Sequence, residues 1–167
     1  GANCLIRKSK KALVKEATNS RLCIDGYNVM ITIGNYLNGN TTFIGNDHYL
    51  RDAAEMHGKV FRKVLMDRVL DLLLTDLKYL KAPEVIVYFD EPVSKSGELA
   101  AKVNDRFTDL KIKGKALTAD SADYPLKRFT EGYIATSDSA IIDQSKVKVF
   151  DLALHVIKRN FNAEIID

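Results

Sequence analysis

Three aspartates of this chain each follow an apolar run: Asp25 after Leu22-Cys23-Ile24, Asp90 after Val85 to Phe89, and Asp138 just past Tyr133-Ile134-Ala135. Carboxylates gathered at strand ends repel one another unless a cation neutralises them. Hard oxygen donors favour Mg²⁺ or Mn²⁺ over zinc. Such an ion can orient water and offset the charge that develops on a phosphodiester during attack. The residue types therefore point to metal-assisted hydrolysis of a nucleic acid, with Asp25, Asp90 and Asp138 as catalytic and metal-binding groups. Each also has a plainer reading: a strand-ending turn at Asp25-Gly26, a solvated strand end at Asp90-Glu91-Pro92, a helix cap at Ser137-Asp138. Their agreement favours the site. Lys95, between Ser94 and Ser96, adds a charge beside a helix start, where phosphate is received, against the alternative of a simple capping turn.

The elements that must position these groups alternate between strand and helix. Residues 7–17 carry Leu13, Val14 and Ala17 on one side of a basic segment and predict a leading helix. Leu22 to Ile24 is the first strand. From Asn28 to Gly58 the density of Gly, Asn and Thr predicts a long irregular or hairpin excursion. Apolar positions from Val60 to Leu80 recur at three- and four-residue steps and mark a long amphipathic helix ending before Pro83. Glu84 to Phe89 is the second strand. A helix through Leu99, Val103 and Phe107 follows, with Ser94 or Ser96 as its cap. Ala116 to Thr118 is a third strand, Glu131 to Thr136 a fourth, Val147 to Phe150 a fifth. Leu152 to Lys158 is the last helix, and Ala163 to Ile166 an edge strand. This alternation implies a Rossmann-like three-layer α/β/α domain with a mostly parallel central sheet, whose ligand crevice lies at the carboxyl ends of the strands.

The segments Ile24-Asp25-Gly26-Tyr27-Asn28, Tyr88-Phe89-Asp90-Glu91 and Ala135 to Asp143 resemble the PIN-like and NYN-type nuclease superfamily over most of the chain. More closely they resemble an uncharacterised, largely archaeal PIN-like family. The resemblance implies an acidic pocket, dependence on Mg²⁺ or Mn²⁺, and RNA as substrate. It makes Asp25 the first-strand metal ligand and Asp138 the serine-aspartate ligand of a later strand, with Asp90 as the second-strand acid. Asn28 is the asparagine beside the metal aspartate, and Asn28 and Ser137 join Lys95 as substrate-binding candidates. Asp143 is a further metal candidate on the following helix. Asp120 or Asp123 supplies the acid before the penultimate motif, and Asp52 or Asp67 that of an earlier helix; the spacing does not choose. A homodimer is expected by analogy. The competing reading is a catalytically inactive RNA- or protein-binding module that keeps the fold.

Length and composition bound these readings. At 167 residues, 46% hydrophobic and 28% charged, the chain suits one domain, 1–167. A net charge of +3 and a pI of about 8.8 tolerate a phosphate-rich partner without requiring one. The basic run Arg7, Lys8, Lys10, Lys11 and Lys15 is read as a solvated helix face rather than a phosphate track. Two cysteines without metal-ligand spacing suggest neither disulfide nor zinc and fit a reducing cytoplasm. No apolar stretch approaches a membrane span. The chain opens on Gly1, so residues 1–20 are read as a leading basic helix or the end of an upstream segment. His48, His57 and His155 share no ligand spacing, and His155 reads as a packed histidine. Arg51 and His57 are read as solvated loop residues. A haloacid-dehalogenase-type phosphatase lacks its second aspartate, and neither a phosphate-binding G-x-x-x-x-G-K nor a dinucleotide G-x-G-x-x-G is present.

Overall fold

A computed structural model describes residues 2–39, 42–45, 47, 49–52 and 63–161. Five strands form one all-parallel sheet: β1 (Leu22–Asp25), β4 (Val85–Asp90), β5 (Gly114–Ala119), β6 (Tyr133–Ala135) and β7 (Val149–Phe150), in the order β5-β4-β1-β6-β7. A separate antiparallel pair joins β2 (Thr42–Ile44) to β3 (Leu50–Asp52). The chain runs outward from β1 to β4 and β5, then returns to the other side of β1 for β6 and β7. The place where this direction reverses lies between β1 and β6, where open parallel sheets form a crevice.

Both faces of the sheet are covered, as the apolar character of the strands requires. On one face α3 (Gly26–Leu37), α4 (Lys63–Leu80), α5 (Ser96–Asp109) and α8 (Leu152–Asn160) bury Met30, Leu70, Leu74, Val103 and Val156 against Leu22, Ile24, Val87 and Phe89. On the other, α6 (Asp123–Arg128) and α7 (Ser139–Gln144) bury Leu126, Ile141 and Ile142 against Cys23, Ile134 and Val149, with α1 (Ala2–Lys10) against α7. The three-layer α/β architecture is thus present, and α2 (Val14–Ala17) completes the helices among the described residues.

Four expectations need correction. The leading helix of 7–17 is divided, because Lys11 bridges to Val149 and the Ala12 amide donates to the Val149 carbonyl at 2.8 Å, extending the sheet edge between α1 and α2. The expected turn at Asp25-Gly26 is a direct strand-to-helix junction. The first part of the supposed excursion is α3, whose Val29, Met30, Ile33 and Leu37 follow helical spacing; its Gly34 and Asn35 are buried within the helix rather than in a loop. At α5 neither Ser94 nor Ser96 is the cap. Lys95 takes that position at φ 64°, while the Ser96 hydroxyl donates to the Glu91 carbonyl at 3.0 Å. Helix α6 was not foreseen. Val60, Phe61, His48, His57 and the edge strand at 163–166 lie outside the described residues, as does the Arg51 side chain.

His155 is packed, as expected, beside Phe150 and Tyr79, and its Nδ1 lies 2.6 Å from Asp76. Asp76 is fully buried and also accepts from Arg159 Nε at 2.5 Å. Removing one member of a buried ionic cluster leaves uncompensated charge, so Asp76→Ala is expected to lower unfolding free energy by roughly 3–5 kcal/mol in urea titration. At the junction, a Cβ on Gly26 would lie 2.6 Å from Phe89 Cδ1 and 2.8 Å from the Tyr88 carbonyl. Because the carbonyl belongs to the central sheet and cannot withdraw, Gly26→Ala is expected to destabilise by roughly 1–3 kcal/mol in the same assay.

Candidate functional site

Strand alternation decides which side chains meet. In β1, Leu22 and Ile24 enter one core and Cys23 the other. Asp25, two residues after Cys23, therefore faces α6 and α7. By the same count Asp90 shares the face of Tyr88, and Thr136 that of Ile134. Asp25 pairs in register with Tyr88, so Asp90 lies two residues further along the neighbouring strand, roughly 8 Å away between backbones from the strand spacings.

Hydrogen bonds fasten these groups across the β1–β6 crevice. The Thr136 hydroxyl donates to Asp25 Oδ2 at 2.9 Å. Asn28, in the first turn of α3, accepts at Oδ1 from the Ser137 amide at 2.9 Å and from its hydroxyl at 3.3 Å. Asp138 caps α7, its Oδ1 accepting from the amides of Ala140 at 2.9 Å and Ile141 at 3.1 Å. Asp90 Oδ1 accepts from the Ala122 amide at 2.7 Å. Each of Asp25, Asp90 and Asp138 thus has one oxygen held by the protein, and none of the three forms an ion pair among the described residues.

Electrostatics identify a fourth member. Asp25 is only 6% exposed, and burial pushes its carboxyl up to about 7; Asp90, Asp138 and Asp123 add to the rise, while the Thr136 hydrogen bond opposes it. Asp123 is itself raised by burial, then by Asp138 and Asp90, against the pull of Lys127. Of the two acids left open by spacing, the structure draws Asp123 into the group. Asp120 is exposed. Tyr27 also borders the site: its hydroxyl is raised by burial and by Asp90, and its ring meets Phe89 edge-on at 5.1 Å. Neither Tyr27 nor Thr136 was singled out by sequence, although both lie in the motifs that carry the aspartates.

Other candidates fall elsewhere. Asp143 is forked onto Arg7 of α1, with Nε at 2.7 Å and Nη2 at 3.0 Å, and that guanidinium pulls its carboxyl below the ordinary value. Its charged neighbours are Arg7, Lys10 and Asp47, not the acids of the crevice. Asp67 pairs with Lys102, and the Asp52 side chain lies outside the described residues. Lys95 is exposed at the start of α5. The Oδ1 of Asn28 is turned on the amide and hydroxyl of Ser137. Among the described residues no group of three or more His, Cys, Asp or Glu stands close enough to hold a metal ion. The donor set is nevertheless of the kind a hard cation takes: carboxylate oxygens, mutually repelling, without a cationic partner for Asp25.

The domain of unknown function DUF5616 matches residues 14–155. The chain belongs to the DUF5616 family. Asp25, Asp90, Asp123 and Asp138 all lie within the matched region, and α1 lies outside it. An uncharacterised protein of Methanocaldococcus jannaschii is 35% identical to the chain over 153 residues, covering 91% of this chain and 71% of that protein. No solved structure matches. No helix among the described residues of this DUF5616 member is long and apolar enough to cross a membrane.

The sign of the Asp25 shift sets a pH dependence. Between the unfolded value near 3.8 and the folded value of about 7, the folded state retains a proton that the unfolded chain has released. The contribution of Asp25 to stability is therefore greatest below the unfolded value and is lost as pH rises through the folded one, by up to roughly 4 kcal/mol. Asp25→Asn keeps an acceptor for Thr136 without the charge. Thermal unfolding from pH 4 to 8 is expected to show a decline in the wild type that is largely flattened in the variant; parallel curves would refute this assignment.

Proposed function

We propose that the protein is a divalent-metal-dependent nuclease hydrolysing RNA phosphodiester bonds at the β1–β6 crevice. The observation that carries the reading is a buried carboxyl, Asp25, facing Asp90, Asp123 and Asp138 without a compensating cation among the described residues. The resemblance to PIN-like and NYN-type nucleases supports the same use of these positions. Mg²⁺ or Mn²⁺, held by Asp25, Asp90 and Asp138 with Asp123 beside them, would supply Lewis-acid polarisation and a nucleophilic water near neutral pH. The chain's own part is positional and electrostatic. Thr136 favours the ionised form of Asp25 against its burial, and that ionised form is the one that would hold a cation. Asn28 holds the β6–α7 loop, and through it the capping carboxylate of Asp138.

The lack of three ready ligands among the described residues favours a second reading, a non-catalytic RNA- or protein-binding module. Calorimetry with Mn²⁺ separates the two. Wild-type protein is expected to bind the ion and cleave mixed RNA; Asp25→Asn combined with Asp138→Asn is expected to lose binding and to reduce cleavage roughly a hundredfold or more. Wild type that takes up no Mn²⁺ at millimolar concentration would leave the module.

A further inference from the structure

Helix α6 presents a group of side chains that the acidic crevice does not itself use. Its first residue, Asp123, belongs to the acid cluster. The next, Tyr124, is 67% exposed, although an aromatic ring of that size gains by burial. One turn later the Arg128 guanidinium lies over the Tyr124 ring, 5.1 Å from its centroid. Lys127 lies between them in sequence and acts electrostatically on Asp123. On the face of the sheet that α6 covers, Leu117 is paired in register with Tyr88 and remains 37% exposed. The position of α6 is not arbitrary, because Asp90 accepts from the Ala122 amide at the start of the helix. One acid of the cluster thereby anchors the element that carries the ring.

We propose that Tyr124 and Arg128 form a stacking platform for an unpaired base next to the phosphate that enters the acidic crevice, so that the substrate is single-stranded there. This rests on the reading of the crevice as a nuclease site. Tyrosine rings and guanidinium planes stack bases irrespective of sequence. In a duplex those base faces are covered by neighbouring pairs, and recognition falls to shape and backbone. Arg128 and Lys127 provide the positive charge that a phosphate backbone needs beside four carboxylates that would otherwise repel it. One ring and one leucine edge fall far short of a protein interface of roughly 800 Å² per partner. The platform therefore suits a base better than a protein surface.

The test measures anisotropy of a short labelled single-stranded RNA, and of the same sequence within a hairpin stem, without divalent metal; kcat and KM are measured separately with Mn²⁺. Tyr124→Ala is expected to weaken single-strand binding about tenfold, and Tyr124→Phe to retain it, since stacking needs the ring and not the hydroxyl. Stem binding should be unchanged, and the cleavage defect should appear in KM with kcat within about twofold. Arg128→Ala should weaken single-strand binding in the same direction. Equal binding by wild type and Tyr124→Ala, equal losses in the Ala and Phe variants, or stem binding that falls in parallel each overturns the platform. Cleavage with an unchanged KM in Tyr124→Ala overturns the platform and leaves the nuclease reading intact. Ring-dependent binding without cleavage by the wild type supports the platform and removes the nuclease reading.

Discussion

Asp25 ends the central strand with its carboxyl almost wholly removed from water, and the surrounding chain is arranged around that fact. A buried carboxylate is costly unless hydrogen-bonded or neutralised. Among the described residues the Thr136 hydroxyl offers a hydrogen bond, and the charged groups that act on Asp25 are acids: Asp90, Asp138 and Asp123. Thr136 directly follows the neighbouring strand, so the bond also draws the ends of β1 and β6 together where the connection order reverses. Asn28 adds a second tie from the first turn of α3 to Ser137. These two contacts fix the Ser137-Asp138 loop, and Asp138 in turn starts α7. Crevice, loop and helix thus share one small network.

Local rules produce this arrangement without a long-range design. Alternation along β1, β4 and β6 sends Asp25, Asp90 and Thr136 to the same face as Cys23, Tyr88 and Ile134. That face is covered near the crevice by the short helices α6 and α7 rather than by long ones. Short helices leave the ends of the strands accessible. The opposite face, under α3, α4, α5 and α8, holds most of the large buried side chains. The larger core and the acids are therefore divided between the two faces: one holds most of the packed side chains, the other a smaller cluster together with acids whose mutual repulsion it must offset.

The strands and the long helices were legible because their signals are local. Apolar runs ending in Asp25 and Asp90 announced β1 and β4, and the three- and four-residue spacing from Val64 to Leu80 announced α4. Helix α3 was obscured because Gly34, Asn35 and Asn38 argue for a loop by composition, whereas Val29, Met30, Ile33 and Leu37 argue for a helix by period. Packing against α4 and α8 decided for the latter. Helix α6 is too short to show a period, and its residues read as an acid beside basic and aromatic neighbours. For the candidate site, strand-end position singled out Asp25, Asp90 and Asp138. The choice between Asp120 and Asp123 depends on which way a short helix turns. The fate of Asp143 depends on Arg7, 136 residues away in sequence, a pairing that no local pattern carries.

That pairing also bears on where positive charge is available. The amino-terminal basic run is the densest in the sequence, yet part of it is occupied within the fold. Arg7 holds Asp143, and Lys10 donates to the carbonyls of Ile142, Asp143 and Ser145 at the end of α7. Cations at that end of a helix satisfy its unpaired carbonyls and oppose its dipole. Lys11 lies over the Tyr49 ring at 5.4 Å. The run thus serves to dock α1, and a net charge of +3 says little about a nucleic-acid surface. Beside the acids, positive charge comes from a smaller local source on α6, where Lys127 opposes the rise of Asp123 and Arg128 is the next residue. Both positions follow Asp123 closely in sequence, so the helix that brings this carboxylate to the group also brings a cation that moderates its field.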